Sequence, residues 1–205
     1  MPTAPTANFE KRQPIKPGTY PARCFSVIIM GTYEEEYLGE IKTTQKVRIG
    51  WELPTEMVTY NKKKDDGSEE EVTAPAVISQ EYTFSMGKKA NLRKIVESMT
   101  TPLSDEEAGQ FDVYDLVGLE CMIAVANKEK KDGSGSYAVI QSLTPLMRGY
   151  NMPEAVNAPV RFYYKEWDQG VFETLPKFVQ EKINQSLERK QPVAGEELIE
   201  DKTPF

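Results

Sequence analysis

Three strand patterns, one helical pattern and two further strand patterns predict a mainly β fold with helices (α+β). The arrangement expected from that order is a five-stranded barrel with a helix between strands three and four. A C-terminal amphipathic helix and a disordered acidic tail follow it. Three observations carry this expectation: period-two apolar stretches about one strand long, a single 3.6-period stripe among them, and turn residues between the segments. At 205 residues, 39% hydrophobic and 28% charged, the chain suits one globular domain with appendages.

Residues 1–14, "MPTAPTANFEKRQP", are rich in Pro, Thr and Ala and read as a flexible arm. The first strand is expected in "PGTYPARCFSVIIMG", opened by Pro17-Gly18 and closed by Gly31. Alternation places Phe25, Val27 and Ile29 on one face and Cys24, Ser26 and Ile28 on the other. "TYEEEYLGEIKTT" reads as a connector. "QKVRIGWELP" reads as the second strand, with Val47, Ile49 and Trp51 opposite Lys46, Arg48 and Gly50. Gly50 would let another group approach the backbone. Residues 54–80 read as a long loop or flexible hairpin, in which a lysine run faces a glutamate run.

"QEYTFSM" is the third strand, with Tyr82 and Phe84 on one face. A helix follows Gly87, its stripe formed by Leu92, Ile95, Val96 and Met99 at i, i+3, i+4, i+7. Ser104 and Glu107 have the spacing of a capping box. "GLECMIAVANKE" and "YAVIQSLTPL" are strands four and five, joined by a hairpin turn at Asp132-Gly133. This is the element order of an OB-fold barrel, expected over residues 15–148. An extension, 149–190, holds the aromatic cluster Phe162 to Trp167. It also holds a helix capped by Thr174, with Leu175, Phe178, Val179, Ile183 and Leu187 on one stripe. Residues 191–205 lack periodicity and read as a disordered tail.

Composition narrows the function. The chain has no histidine, which removes the usual general base near neutral pH and the commonest transition-metal ligand. Cys24 and Cys121 sit in apolar runs and read as buried thiols of a cytosolic protein. No stretch reaches the ~20 apolar residues of a membrane helix. No spacing matches a phosphate-binding glycine loop, a zinc site or a nucleophile–base pair. The acidic clusters at Glu34 to Glu36, Glu69 to Glu71 and Asp105 to Glu107 would suit magnesium-dependent nuclease chemistry. They fall in expected loops or at a helix start, where acids serve solubility and the helix dipole. The expectation is no enzyme, no cofactor and no metal.

Net charge is −7, yet residues 1–64 carry ten Lys and Arg against seven acids. Local potential steers a polyanion more than the overall sum does. Binding single strands without sequence preference needs cations along phosphates and rings against bases. The candidates are Arg23, Tyr33, Tyr37, Lys42, Lys46 and Arg48, then Tyr60, Lys62 and Lys63, then Tyr82 and Phe84. They lie on or beside the first three strands, the second and third of which form the surface an OB barrel offers to oligonucleotides. The plainer reading makes the rings core and the cations solvated edge charges. Lys128, Lys130 and Lys131 read as surface lysines, though OB folds often place that hairpin over the ligand.

"IKPGTYPARCFSVIIMGTYEEEYLGEIKTTQKVRIGWELP" resembles the opening of a family of bacteriophage single-stranded DNA-binding proteins with an OB fold. The likeness rests on the Gly-x-Tyr-x-Ala opening, the glycine after the first strand and the Trp-Glu-Leu-Pro close of the second. "YTFSMGKKANLRKIVESM" and "FDVYDLVGLECMIAV" are similar to the same family's later segments. The tail adds a second likeness, since bacterial and phage single-stranded DNA-binding proteins often end in a disordered acidic tail, whose tip in the bacterial ones is an Asp-rich run followed by Ile-Pro-Phe. Here Glu200 and Asp201 precede Pro204 and Phe205, with Lys202-Thr203 between. The resemblance implies single-stranded DNA as ligand, a role in phage DNA replication or recombination, and residence in the host cytoplasm. Replication or recombination proteins would be partners of Glu200, Asp201, Pro204 and Phe205. The competing expectation is a protein-interaction or virion component built on the same small barrel.

Overall fold

The computed structural model describes residues 15–37, 39–63 and 67–190. The expected N-terminal arm and the acidic tail, including Glu200, Asp201, Pro204 and Phe205, lie outside the described residues. Strand β1 (Gly18–Tyr37) pairs antiparallel with β2 (Glu40–Lys63), and β2 pairs with β3 (Glu69–Thr83). Helix α1 (Asn91–Met99), helix α2 (Asp105–Gln110) and a 3-10 turn at Val113–Leu116 lead to β4 (Glu120–Glu129) and β5 (Ser136–Pro145). The sheet order is β3-β2-β1-β4-β5. The fold is mainly β with helices, and its antiparallel path is not closed by a ladder between β3 and β5.

One expected connector is strand instead: Glu34 to Glu36 continue β1, up to the pair Tyr37↔Glu40. Of the two readings of residues 54–80, loop or hairpin, the hairpin forms, as a two-stranded ribbon whose backbone register sets Lys62 opposite Glu70 and Lys63 opposite Glu69.

The first strand also departs from simple alternation. A bulge between Cys24 and Ser26 adds a residue, so Cys24 points inward with Val27 and Ile29, while Phe25 turns outward. The outward step needs Gly50: a Cβ there would collide with the Ser26 hydroxyl and meet the Phe25 ring at 3.4 Å. The interior holds Trp51, Ile49 and Val47 from β2, Leu92, Val96 and Met99 from α1, and Ile123 from β4. The α1 stripe and the Ser104–Glu107 capping box form as the sequence predicts. Arg93 of α1 is buried against Glu97 and Asp105.

The extension is woven into the sheet. Strand β6 (Val160–Tyr163) runs parallel to β1 along Ser26–Ile29, on the edge whose earlier half holds β4. Thr174, expected to cap one long helix, instead ends α3 (Gln169–Thr174), and the expected helix is two short ones, α4 (Lys177–Asn184) and α5 (Leu187–Lys190). Pro176 forces the first break, since it cannot donate to a preceding turn, and becomes the N-cap of α4. A second core forms under these helices, where Ile28 and Met30 of β1 meet Phe162, Phe172, Val179 and Ile183. β1 is thus buried on both faces, which is why "VIIM" (27–30) is apolar throughout. At Gly31 (φ +112°) a Cβ would stand 2.7 Å from the Ser186 Cβ.

A buried carboxylate fixes the path into this extension. Glu52, with no exposed surface, accepts from Arg23 Nη1 (3.1 Å), Asn157 N and Nδ2 (2.9 Å each) and Val156 N (3.3 Å). Burial disfavours its charge, but the Asn157 and Val156 donors and Arg23 outweigh that and hold the carboxyl below its ordinary 4.5. A carboxyl depressed by folding contributes stability that is present above its unfolded value and lost as pH falls through the folded one. Glu52→Gln is therefore expected to lower stability by about 3 kcal/mol at neutral pH, read as a lower urea midpoint. The gap to the wild type should shrink as pH falls below 4.5. Burial, with Cys121 as neighbour, pushes the Cys24 thiol up to about 12, and burial alone does the same to Cys121. Neither thiol should react with iodoacetamide at pH 8 until denaturant opens the core, as mass spectrometry would show.

Candidate nucleic-acid interface

The outward face of β2 and β3 carries most of the candidate cations. Each of those resolved there already faces a carboxylate. Lys46 Nζ lies 2.6 Å from Glu35 Oε2, and that ammonium holds the Glu35 carboxyl below its ordinary value. Lys42, half exposed, lies 3.3 Å from Glu40. Arg48 donates to Glu81 Oε1 (3.0 Å) and to the Ser79 hydroxyl (2.6 Å). The other Glu81 oxygen holds Lys182 of α4. One acid thus serves two cations, and the trio keeps a net charge of +1.

Helix α4 lies against this group. The Phe178 ring sits over the Arg48 guanidinium, 4.9 Å from its centroid, and Lys182 stands 5.8 Å from the Tyr33 ring. The Tyr33 hydroxyl donates to the Lys182 carbonyl (2.9 Å), and burial raises its pKa. These contacts follow from local sequence. Arg48 alternates outward on β2, and the α4 turn that buries Val179 and Ile183 carries Lys182 beside Glu81.

Beside Arg48 a cleft of ≈310 Å³ opens between β3 and the β4–β5 hairpin. Arg48, Ser79 and Glu81 line one side, Lys128 and Tyr137 the other. Tyr137 is 46% exposed. The cleft exists because β3 and β5 do not pair, and each strand presents an unladdered edge to it. A larger hollow of ≈470 Å³ lies under α1, where Arg93 (2.8 Å) and Lys88 (2.9 Å) both bind Asp105. That acid is satisfied from both sides.

The remaining candidates separate. Arg23 is drawn into structure: its Nη2 donates to Glu120 (2.8 Å) and the Pro153 carbonyl (2.7 Å), and its side chain is 13% exposed. Tyr82 points inward at 5% exposed with its hydroxyl unpartnered, so no ring face is open to a base. Alternation places it opposite the outward Glu81. Phe84 is half-buried against the main core. Tyr60 sits on the β2–β3 ribbon opposite Val72, away from the cleft-lining segment of β2. The side chains of Tyr37, Lys62 and Lys63 lie outside the described residues, although their backbones are in β1 and β2. Arg48, Lys46 and Tyr33 are thus brought near one another, while Arg23, Tyr60, Tyr82 and Phe84 are not part of that group.

Sequence reasoning passed over Tyr137, Phe178 and Lys182, and it set Lys128 aside as a surface lysine. The hairpin position of Lys128 and Tyr137 was the available signal. Phe178 lies within the apolar stripe of its helix, and its 56% exposure appears only once Pro176 has set the start of α4.

Among the described residues no group of three or more His, Cys, Asp and Glu is placed to hold a metal ion, and no helix is long and apolar enough to cross a membrane. No protein-family model matches the chain, and no curated protein matches its sequence. Two cations, Arg48 and Lys128, line the cleft between β3 and the β4–β5 hairpin with Glu81, beside the exposed Tyr137 ring. Because Arg48 is the group that joins β2, β3 and α4, Arg48→Ala should accelerate amide hydrogen exchange across Lys177–Asn184, measured by mass spectrometry, by about ten-fold while leaving α1 unchanged.

Proposed function

We propose that this chain is a non-catalytic protein that binds single-stranded DNA with little sequence preference, on an OB-type barrel left open between β3 and β5. The observation that carries the reading is the cleft beside Arg48, which sets Arg48, Lys128 and Tyr137 around one opening. Several features support it. Joining β3 to β5 would complete a five-stranded barrel, and α1 lies between the third and fourth strands as that barrel requires. On the sequence resemblance to phage single-stranded DNA-binding proteins, such an activity would serve phage DNA replication or recombination in the host cytoplasm. Under this reading the ion pairs of the outer face are exchangeable. Phosphates replace Glu81 and Glu35 as partners of Arg48, Lys182 and Lys46, and the strand releases counterions as it docks.

Anisotropy of a dye-labelled oligothymidine tests this directly. Binding is expected at 50 mM salt, with affinity falling as salt rises. Four phosphate contacts, at Arg48, Lys46, Lys182 and Lys128, give a log–log slope of about −3. Lys128→Glu should weaken binding about ten-fold, and the strand should be recovered intact after incubation with magnesium. Absence of binding at low salt would remove the reading. A second reading, a protein-interaction or virion component, draws on Met57 and Val58, which are 56% and 38% exposed on the β2–β3 ribbon. A stable assembly in light scattering that ignores the oligonucleotide would favour it.

A further inference from the structure

The binding surface of an open barrel is ordinarily its own strands and hairpins, but here α4 packs on two residues that line the cleft, Phe178 against Arg48 and Lys182 against Glu81. Phe178 breaks the usual rule for an amphipathic helix. Its neighbours Val179 and Ile183 are buried, whereas its ring is 56% exposed. The ring is nevertheless not loose, because the Arg48 guanidinium supports it at 4.9 Å, and that guanidinium is fixed in turn by Glu81 and Ser79. Arg48 also lines the cleft that holds Tyr137, the second exposed ring of this region. An aromatic ring held over a guanidinium, beside Lys182 and Lys128, has the parts needed to stack a base while cations take its phosphate.

We infer that Phe178 is a base-stacking platform, and that α4, with Tyr137 on the hairpin side, makes the strand-binding groove a composite of the sheet and the C-terminal extension. The inference rests on the single-strand reading above. It adds a contact that Tyr82 and Phe84 do not supply: Tyr82 is buried and Phe84 packs on the core, whereas Phe178 and Tyr137 are exposed and stand with Arg48.

The test separates stacking from charge. Affinities are measured by anisotropy for labelled dT12 and for an abasic strand of the same length, which keeps the phosphates and lacks the rings. The wild type should prefer dT12 by about ten-fold or more. Phe178→Ala should lower dT12 affinity about ten-fold and leave abasic affinity unchanged, and Phe178→Trp should restore the preference. Tyr137→Ala should act in the same direction. A circular-dichroism melt like that of the wild type is expected for Phe178→Ala, since the ring lies outside both cores. Phe178→Ala binding dT12 as tightly as the wild type overturns the inference alone, as does an equal loss on both strands. A wild type that binds neither strand removes the single-strand reading first, and this inference with it.

Discussion

The architecture turns on a carboxylate that water does not reach. Glu52 is charged, and a buried charge is tolerable only when donors surround it. Arg23 approaches from β1, and the amides of Val156 and Asn157 approach from the connector after β5. Arg23 in turn reaches Glu120 on β4 and the Pro153 carbonyl. One ionic knot therefore joins three neighbouring strands to a segment that would otherwise be a surface loop. Once that loop is held, β6 falls into register with the open half of the β1 edge. The three helices after it then have a sheet face to cover.

That covering changes what the outer face can be. A bare sheet face with Lys46 and Arg48 would be a simple cationic strip. With α4 laid across it, the strip becomes a set of shared pairs in which Glu81 and Glu35 hold the cations in place. Preorganised cations lose less rotamer freedom on meeting a phosphate than free ones do. The cost is competition, because any anionic ligand must displace a carboxylate already at hydrogen-bond distance.

The periodic parts of this arrangement were legible in the sequence and the exceptions were not. The order of strands, the α1 stripe and the Ser104 cap follow from period and capping chemistry alone. Trp51, Val47 and Ile49 are buried as alternation implies. The Cys24–Ser26 bulge was invisible because an inserted residue leaves no compositional mark, and it reverses the face of every residue on one side of it. Strand β6 was hidden because four residues paired to a distant strand carry no period of their own. Arg23 and Arg48 look alike in sequence, each a cation in a strand. One is consumed by Glu52 and Glu120 and the other borders open solvent, a distinction set by contacts 29 to 130 residues apart.

The β2–β3 ribbon has a consequence of its own. Past the irregularity between Leu53 and Met57, neither strand has a neighbour on its outer side among the described residues, so both margins offer backbone groups that a third strand would accept. Exposed Met57 and Val58 would make such stacking attractive. The exposed acids Glu69 to Glu71 stand along one margin at the far end. Runs of charge that resemble bait for a partner thus work as insulation, keeping the ribbons of neighbouring molecules from fusing into a common sheet.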